Sequence, residues 1–139
     1  MLTATRAIIT DTDHRRLTQL LESLDRFNAH NHGHARGLAE RLNDAEIVPA
    51  HSVEPDVVTM NSKLRLRDIW AGTPDNITLV YESKTGGLDG TVSILTPLGL
   101  ALLGARQGDE VDWNFNLGVA RLRIEEVLFQ PEANKQFDL

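Results

Sequence analysis

The sequence predicts an α+β fold in which a pair of short helices precedes a mainly antiparallel sheet with one inserted helix. Two stretches near the start carry apolar residues at helical spacing. From residue 57 onwards, short apolar and β-branched runs alternate with turn sequences rich in Gly, Pro, Asn and Asp. One helical stretch, beginning after Thr96, interrupts these runs. Helices followed by strands, rather than strict alternation of the two, indicate the α+β class.

The two N-terminal helices are predicted over residues 11–28 and 34–45. Asp11 and Asp13 lie in the first turn of the first helix, where negative charge complements the helix dipole. The apolar stripe of that helix comprises Leu17, Leu20, Leu21, Leu24 and Phe27. Because only a short polar segment separates the two helices, the sequence predicts a short antiparallel helical hairpin, or coiled coil.

A connector containing Pro49 and Pro55 separates the helices from the strands. We place the domain boundary there, so that residues 1–48 form the hairpin and residues 49–139 form the sheet domain. Strands are predicted at residues 57–60, 64–68, 77–81, 111–115 and 120–129, and residues 92–94 lead into the inserted helix. Turns are predicted at residues 71–76 and near residues 116–118.

The inserted helix has the clearest local signals in the chain. Thr96 can cap its N-terminus, because a threonine hydroxyl accepts a hydrogen bond from an unpaired amide of the first turn. Pro97 suits the first helical position, where its missing N–H has no partner to lose. Gly104 or Gly108 can supply the left-handed residue that ends the helix. The sequence therefore predicts where this helix begins and offers two positions for its end.

The motifs around this helix resemble those of the bacterial transcription factors GreA and GreB. They are Thr96-Pro97, Ala101-Leu102-Leu103-Gly104, Gly108-Asp109-Glu110-Val111 and Arg121-Leu122-Arg123-Ile124-Glu125-Glu126-Val127. Residues 56–62 and 129–133 also resemble the short relatives named regulator of nucleoside diphosphate kinase (Rnk). The similarity extends from about residue 8 to about residue 133. The resemblance implies an FKBP-like fold, a curved antiparallel sheet around one helix, for the C-terminal part.

The resemblance also implies a partner, RNA polymerase. In Gre factors the C-terminal domain holds the rim of the polymerase secondary channel near the loop that opens the inserted helix. Carried over by position, the RNA polymerase-binding residues are Leu95, Thr96, Pro97 and Leu98. The hairpin would add a contact through Arg26, Arg36 and Arg41. The alternative is that Thr96 and Pro97 serve only to start the helix.

In the cleavage factors of this family, acidic residues at the hairpin tip help to hold magnesium. Residues 28–34 contain no acid here, and the hairpin is short. We therefore expect a non-enzymatic regulator that competes with Gre-type factors and needs no metal or cofactor. One alternative is a transcript-cleavage factor in which Asp25 or Glu40 reaches the metal. The other is an interaction module for another protein, such as nucleoside diphosphate kinase itself.

Charge and composition indicate how the protein can contact nucleic acid and where in the cell it works. The net charge is −6, so nucleic acid is expected to be contacted only indirectly, within the transcription complex. Lys63, Arg65 and Arg67 share one strand face, which is either a solvated surface or a patch for an acidic partner. The chain contains no cysteine, no apolar run near the ~20 residues of a membrane span and no signal-peptide core at its start. These features predict a cytoplasmic protein. Packing of the leucine stripe of the first helix within the hairpin predicts a monomer.

Two weaker signals remain. His30, His32 and His34 could ligate a metal together with His51, although no carboxylate lies beside them, and we expect ordinary loop histidines. The FKBP-like fold does not by itself imply prolyl isomerase activity. That activity needs an aromatic pocket, whereas Trp70 and Trp113 are assigned to core or edge positions.

Overall fold

The computed structural model describes residues 6–27, 32–82, 89–115 and 118–137. Within these ranges the protein is a mixed α+β structure with three helices, α1 (Asp11–Phe27), α2 (His32–Asp44) and α3 (Pro97–Leu102). The strands are β1 (Ile8–Thr10), β2 (Glu46–Val48), β3 (Lys63–Asp68), β4 (Pro74–Val80), β5 (Thr91–Ser93), β6 (Glu110–Phe115) and β7 (Gly118–Phe129). No helix in these ranges combines the length and apolar character that crossing a membrane requires.

Five strands form one curled sheet in the order β5-β4-β3-β7-β6. All neighbours are antiparallel except β4 and β5, which are parallel. On one face of β3, Leu64 and Leu66 are buried, and Ile124 of β7 is buried with them. Helix α3 packs against this face and contributes Leu102 to the same core. The alternation of apolar and polar residues that predicted the strands therefore separates a core face from an outward face.

Strands β1 and β2 were not predicted from the sequence. They pair in parallel, with Ile9 opposite Ile47, and the Ile8 N–H donates to the Gly104 carbonyl at 3.1 Å. The residues just before α1 and just after α2 are thereby tied to the segment that follows α3. Strands of three residues are too short to show a period-two pattern, so their pairing depends on the tertiary structure. The proposed division at residue 48 stays a prediction.

The predicted strand at residues 57–60 is wrong. Val57 makes only an isolated bridge to Arg106, and Val58 exchanges hydrogen bonds with the backbone around Gly104 and Ala105. Asn61 then adopts a left-handed conformation with φ of 67°. A short apolar run signals burial more strongly than it signals a strand. This segment is buried but irregular, because its partners belong to the turn after α3.

The predicted turn at residues 71–76 ends earlier than expected. Strand β4 begins at Pro74, which pairs with Arg67 at the end of the β3 ladder. Proline is tolerated as the first residue of a strand, because its missing N–H then removes no interior ladder bond. The turn signal of Pro74 thus marks the start of β4 rather than the middle of a loop.

Asp13 connects α1 to the sheet region. Its carboxylate accepts the Met60 N–H at 3.0 Å and the Tyr81 hydroxyl at 3.5 Å, and the residue is 2% exposed. Arg16 and Glu132 are the nearby charges. Burial raises the pKa of Asp13 from 3.8 to about 6, although the Met60 hydrogen bond opposes this shift. The buried Asp13 carboxyl therefore links α1 to Met60 and Tyr81, although burial disfavours its charged form.

We expect Asp13→Asn to remove a pH dependence from stability. The folded protein binds the proton of the Asp13 carboxyl more tightly than the unfolded chain does. The contribution of this proton to the free energy of unfolding is therefore greatest at low pH, and it is lost as pH rises from about 4 to about 6. The difference between pKa values of 3.8 and about 6 corresponds to roughly 3 kcal/mol. The asparagine amide can still accept from Met60. Urea denaturation across this range should show the variant gaining roughly 2–3 kcal/mol over wild type.

The exposed Asp11 in the same turn offers the control substitution Asp11→Asn. Parallel stability curves for wild type and Asp13→Asn between acid and neutral pH would contradict the assignment of this dependence to Asp13.

Candidate functional site

Residues 95–98, which we name the docking loop after the role that the resemblance implies, comprise the two residues before α3 and the first two residues of α3. Several local hydrogen bonds hold this segment against the end of β5. The Leu95 N–H donates to Ser93 Oγ at 3.1 Å, and the Thr96 hydroxyl donates to the Ser93 carbonyl at 2.7 Å. Thr96 Oγ1 in turn accepts the Gly99 N–H at 3.1 Å, which confirms the predicted N-cap. The backbone of the docking loop is therefore held by hydrogen bonds among residues 93 to 99 alone.

Gly99 sets the distance between α3 and the end of β5. A Cβ placed on Gly99 would lie 2.1 Å from the Ser93 carbonyl oxygen and 3.0 Å from Ile94 Cα. The contact is with backbone, which cannot rotate away as a flexible side chain would. The first turn of α3 thus lies directly on the strand end, and no larger residue fits at this position.

The side chains of the docking loop divide between the core and the surface. Leu95 and Leu98 are half-buried and pack against the hydrophobic core. Pro97 is exposed at the first position of α3. Leu95 and Leu98 thus anchor the segment, and Pro97 between them is left exposed. A partner could bind this apolar residue without first ordering the loop.

Arg41 of α2 holds the other end of α3. Its Nε and one terminal nitrogen donate to the Leu103 carbonyl at 3.2 and 2.7 Å, and the same terminal nitrogen donates to the Ala101 carbonyl at 3.3 Å. These carbonyls lie at the C-terminal end of α3, where oxygens lack helical partners and favour positive charge. Burial lowers the pKa of the Arg41 guanidinium below its ordinary value. Sequence analysis did not identify this structural role, because Arg41 and Leu103 are distant in the chain.

We expect Arg41→Met to destabilise the protein by about 2 kcal/mol, because it leaves two partly buried carbonyls at the end of α3 without their charged donor. Methionine preserves the aliphatic stem, so the loss reports the guanidinium. Arg36 lies exposed on the same helix and provides the control; we expect Arg36→Met to change the free energy of unfolding by less than about 0.5 kcal/mol. Urea denaturation of both variants makes the comparison, and equal losses would contradict the assigned role.

The other predicted residues of the helical pair are less informative. Glu40, like Arg36, is exposed on α2. His51 is exposed in a single 3₁₀ turn at Ala50–Ser52. The remaining candidates lie outside the described residues or have side chains outside them: Asp25, Arg26, His30, His32 and His34. Contact of Arg26, Arg36 and Arg41 with a partner therefore stays a prediction.

The outward face of the sheet carries paired charges. Arg65 donates to Glu126 at 3.1 Å, and Arg67 donates to Glu125 at 2.6 Å. On β7, two further arginines pair with acids of β6: Arg121 with Asp112 and Arg123 with Glu110, each at 2.9 Å. Each of these four arginines has a carboxylate partner, which favours the solvated-surface interpretation for Arg65 and Arg67. Lys63, the third basic residue of the predicted face, is exposed.

The comparisons with known proteins agree with this architecture. Residues 53–129 match the family described as "Transcription elongation factor, GreA/GreB, C-term". This match covers more than half of the chain and includes β3 to β7, the docking loop and α3. The chain belongs to the GreA/GreB family.

Comparison with individual proteins shows which members of the family this protein resembles. It is 36% identical over 135 residues to the Regulator of nucleoside diphosphate kinase of Escherichia coli (strain K12), covering 91% of each chain. A solved structure from Nitrosomonas europaea, described as a prokaryotic transcription elongation factor GreA/GreB, aligns with a TM-score of 0.73 and 38% identity. The alignment covers 88% of this chain and 99% of that one.

The similarity to proteins named GreA covers a smaller part of this chain. GreA of Oenococcus oeni is 29% identical over 80 residues, which cover 58% of this chain and 49% of GreA. The homology thus supports a regulator related to transcription elongation factors, and the E. coli relative, 91% of which is covered, is named as a regulator.

Proposed function

We propose that this protein is a non-enzymatic transcription regulator that binds RNA polymerase near the secondary channel and competes there with Gre-type factors. The observation that carries the proposal is the docking loop, in which exposed Pro97 stands on a backbone fixed by Ser93, Thr96 and Gly99. A preordered loop loses little conformational entropy on binding. The choice of RNA polymerase as the partner rests on family membership, since GreA and GreB act on RNA polymerase.

The remaining features of the proposal follow from the same relationship. We infer that α1 and α2 form a short hairpin, that the C-terminal part has the FKBP-like fold, and that the protein is a cytoplasmic monomer. Arg26, Arg36 and Arg41 would add a second contact with polymerase. The segment between α1 and α2 lacks acidic residues, which supports a role without cleavage chemistry. The paired arginines of the outward sheet face support indirect rather than direct contact with nucleic acid.

Biolayer interferometry with immobilised core RNA polymerase tests the proposal, with GreB as competitor. We expect saturable binding that GreB reduces as its concentration rises. Binding that is indifferent to GreB would place the protein elsewhere on polymerase, and no binding at micromolar concentration would reject the partner. A parallel assay on backtracked complexes should show no stimulation of RNA cleavage; stimulation would favour the transcript-cleavage alternative.

A second candidate function comes from the name of the E. coli relative, which is a regulator of nucleoside diphosphate kinase. A direct complex with that kinase would account for such a name, and so would an effect on its expression. A pull-down from cell extract that retains the kinase and lacks polymerase would favour the direct complex. Retention of polymerase without the kinase would favour the first proposal.

A further inference from the structure

A hollow of about 430 Å³ lies where β1 and α2 meet the turn after α3. Arg6 and Arg41 line it, and the same two arginines also line a neighbouring hollow of about 600 Å³ along α2. Both volumes fall within the range of about 300–1,000 Å³ that ligand sites in proteins occupy. The two arginines are therefore common to two adjoining recesses, each large enough for a small molecule.

The two guanidinium groups bind only backbone carbonyls in the described parts of the chain. Arg6 donates through Nε to the Asp44 carbonyl at 3.0 Å and through Nη2 to the Ala45 carbonyl at 3.1 Å. Arg41 donates to the carbonyls at the end of α3, as described above. No ion pair among the described residues includes either arginine. Since carbonyls at helix ends carry only partial charges, both arginines retain much of their positive charge.

The hydrogen bonds also fix where these positive charges lie. They occupy Nε and Nη2 of each arginine, and Nη1 of each has no acceptor among the described residues. The backbone beneath them is tightly packed, because a Cβ placed on Gly104 would lie 2.6 Å from the Ala7 Cβ. Two donor groups are thus held ready for an anion, at little cost in side-chain entropy.

The carboxylates that line the first hollow have other partners. Glu110 pairs with Arg123 at 2.9 Å, and Asp109 Oδ2 accepts the Arg106 N–H at 2.9 Å. The Arg106 guanidinium also lines the hollow and pairs with two carboxylates outside it, at 3.2 and 3.3 Å: Glu54 and Asp56. Among the described residues, therefore, no carboxylate of this hollow serves as a counterion for the two carbonyl-bound arginines.

The neighbouring hollow limits the kind of anion that fits. Glu40 and Asp44 line it, and both are exposed. A nucleic-acid strand running through both recesses would carry its phosphates past these carboxylates and be repelled. A terminal phosphate can instead lie on the arginine side alone, and the Asn43 amide in the neighbouring hollow offers hydrogen bonds to the rest of a small molecule.

We propose that Arg6 and Arg41 form a binding site for the terminal phosphate or diphosphate group of a small molecule such as a nucleotide. The Nη1 groups of both arginines donate to phosphate oxygens, an acceptor geometry that guanidinium groups suit. The bound phosphate would link α2 and the segment before β1 to the turn after α3. This inference does not depend on the proposed function, because the phosphate site can be tested without polymerase.

Inorganic pyrophosphate is the probe for the first test. In ¹⁵N-labelled protein we expect saturable shifts of the Nε–H resonances of Arg6 and Arg41 and of the Gly104 and Ala105 amides, half complete below about 1 mM. Sodium chloride at matched ionic strength controls for general screening. Shifts that chloride reproduces, shifts confined to other residues, or no saturation by about 10 mM would overturn the proposal.

A matched pair of variants tests the cationic contribution. Arg6→Gln should weaken pyrophosphate binding at least about fivefold, because it removes one of the two charged donors. Arg15→Gln makes the same charge change at an exposed position of α1, which lines neither hollow, and should weaken binding less than about twofold. Equal effects of the two substitutions would overturn the proposal by reducing the attraction to net charge.

Asp109→Asn supplies a test in the opposite direction. The asparagine oxygen can still accept the Arg106 N–H, while one negative charge leaves the lining of the hollow. We expect pyrophosphate to bind at least about twofold more tightly, a gain that partial unfolding of a variant would not produce. Unchanged or weaker binding, with thermal unfolding like that of wild type, would overturn the site.

Competition experiments identify the source of the phosphate. ADP should displace pyrophosphate from the Arg6 and Arg41 resonances, whereas single-stranded RNA with a 5′-hydroxyl end should not, because internal phosphodiesters carry less charge than a terminal phosphate. Displacement by the RNA would point to a nucleic-acid backbone and overturn the proposal. Displacement by neither would indicate an adventitious ion only. Loss of polymerase binding with pyrophosphate binding retained would reject the proposed function and leave this site standing.

Discussion

Gly99→Ala is expected to destabilise the protein by about 3 kcal/mol or more. The added methyl group would lie 2.1 Å from the Ser93 carbonyl oxygen, far inside van der Waals contact, and 2.9 Å from its carbonyl carbon. Relief requires α3 to move away from the strand end, which would break the Thr96 cap and pull Leu102 from the core. Urea denaturation of wild type and variant gives the difference in free energy of unfolding.

Gly108 provides a matched glycine for comparison. It has a left-handed φ of 97°, and a Cβ there would meet no atom within 4 Å. Gly108→Ala therefore reports backbone strain without a clash and should lose only about 1–2 kcal/mol. Should Gly99→Ala prove no more destabilising than Gly108→Ala, the close approach of α3 to β5 would not be a constraint on this fold.

Pro97→Asp is expected to weaken polymerase binding at least about tenfold while leaving the fold intact. A carboxylate at the first position of α3 complements the helix dipole, so the substitution suits the helix. At an interface built on apolar contact, however, the buried charge loses its hydration without a partner, which amounts to more than about 1.4 kcal/mol, or one factor of ten. Biolayer interferometry on core RNA polymerase measures the change.

Two controls make this result specific. Pro97→Ala removes the ring without adding charge and should reduce binding less than about threefold. Pro49→Asp places the same substitution at another exposed proline, before the Ala50–Ser52 turn, and should leave binding close to that of wild type. If Pro97→Asp binds polymerase as well as wild type does and its thermal unfolding is unchanged, the docking loop is not part of the polymerase interface.

The start of α3 was predictable because its signals are local. Thr96 and Pro97 specify a cap and a first helical turn through hydrogen bonds and dihedral preferences that involve only adjacent residues. The structure confirms the cap, with Gly99 donating to Thr96. The two N-terminal helices were also predicted within a few residues, because an apolar stripe repeated over several turns is a strong periodic signal.

The errors occurred where partners lie far apart in the chain. The apolar residues 57–60 suggested a strand, but the backbone of Val58 bonds to the turn after α3 instead. The pairing of β1 with β2 joins residues more than thirty positions apart through only three residues on each side, which leaves no periodicity to detect. Trp70 was assigned to a core or edge position, and its 66% exposure excludes only the core position.

The sequence by itself determined the α+β class, the positions of the three helices, the cap at Thr96 and, through the order of its motifs, membership of the GreA/GreB family. Only the tertiary structure decided that Arg41 binds the end of α3 rather than standing free on α2, and that the backbone of Val58 bonds to the turn after α3. The reason is physical: caps and amphipathic stripes depend on neighbours within one or two turns, whereas these hydrogen-bond partners depend on which distant elements are packed together.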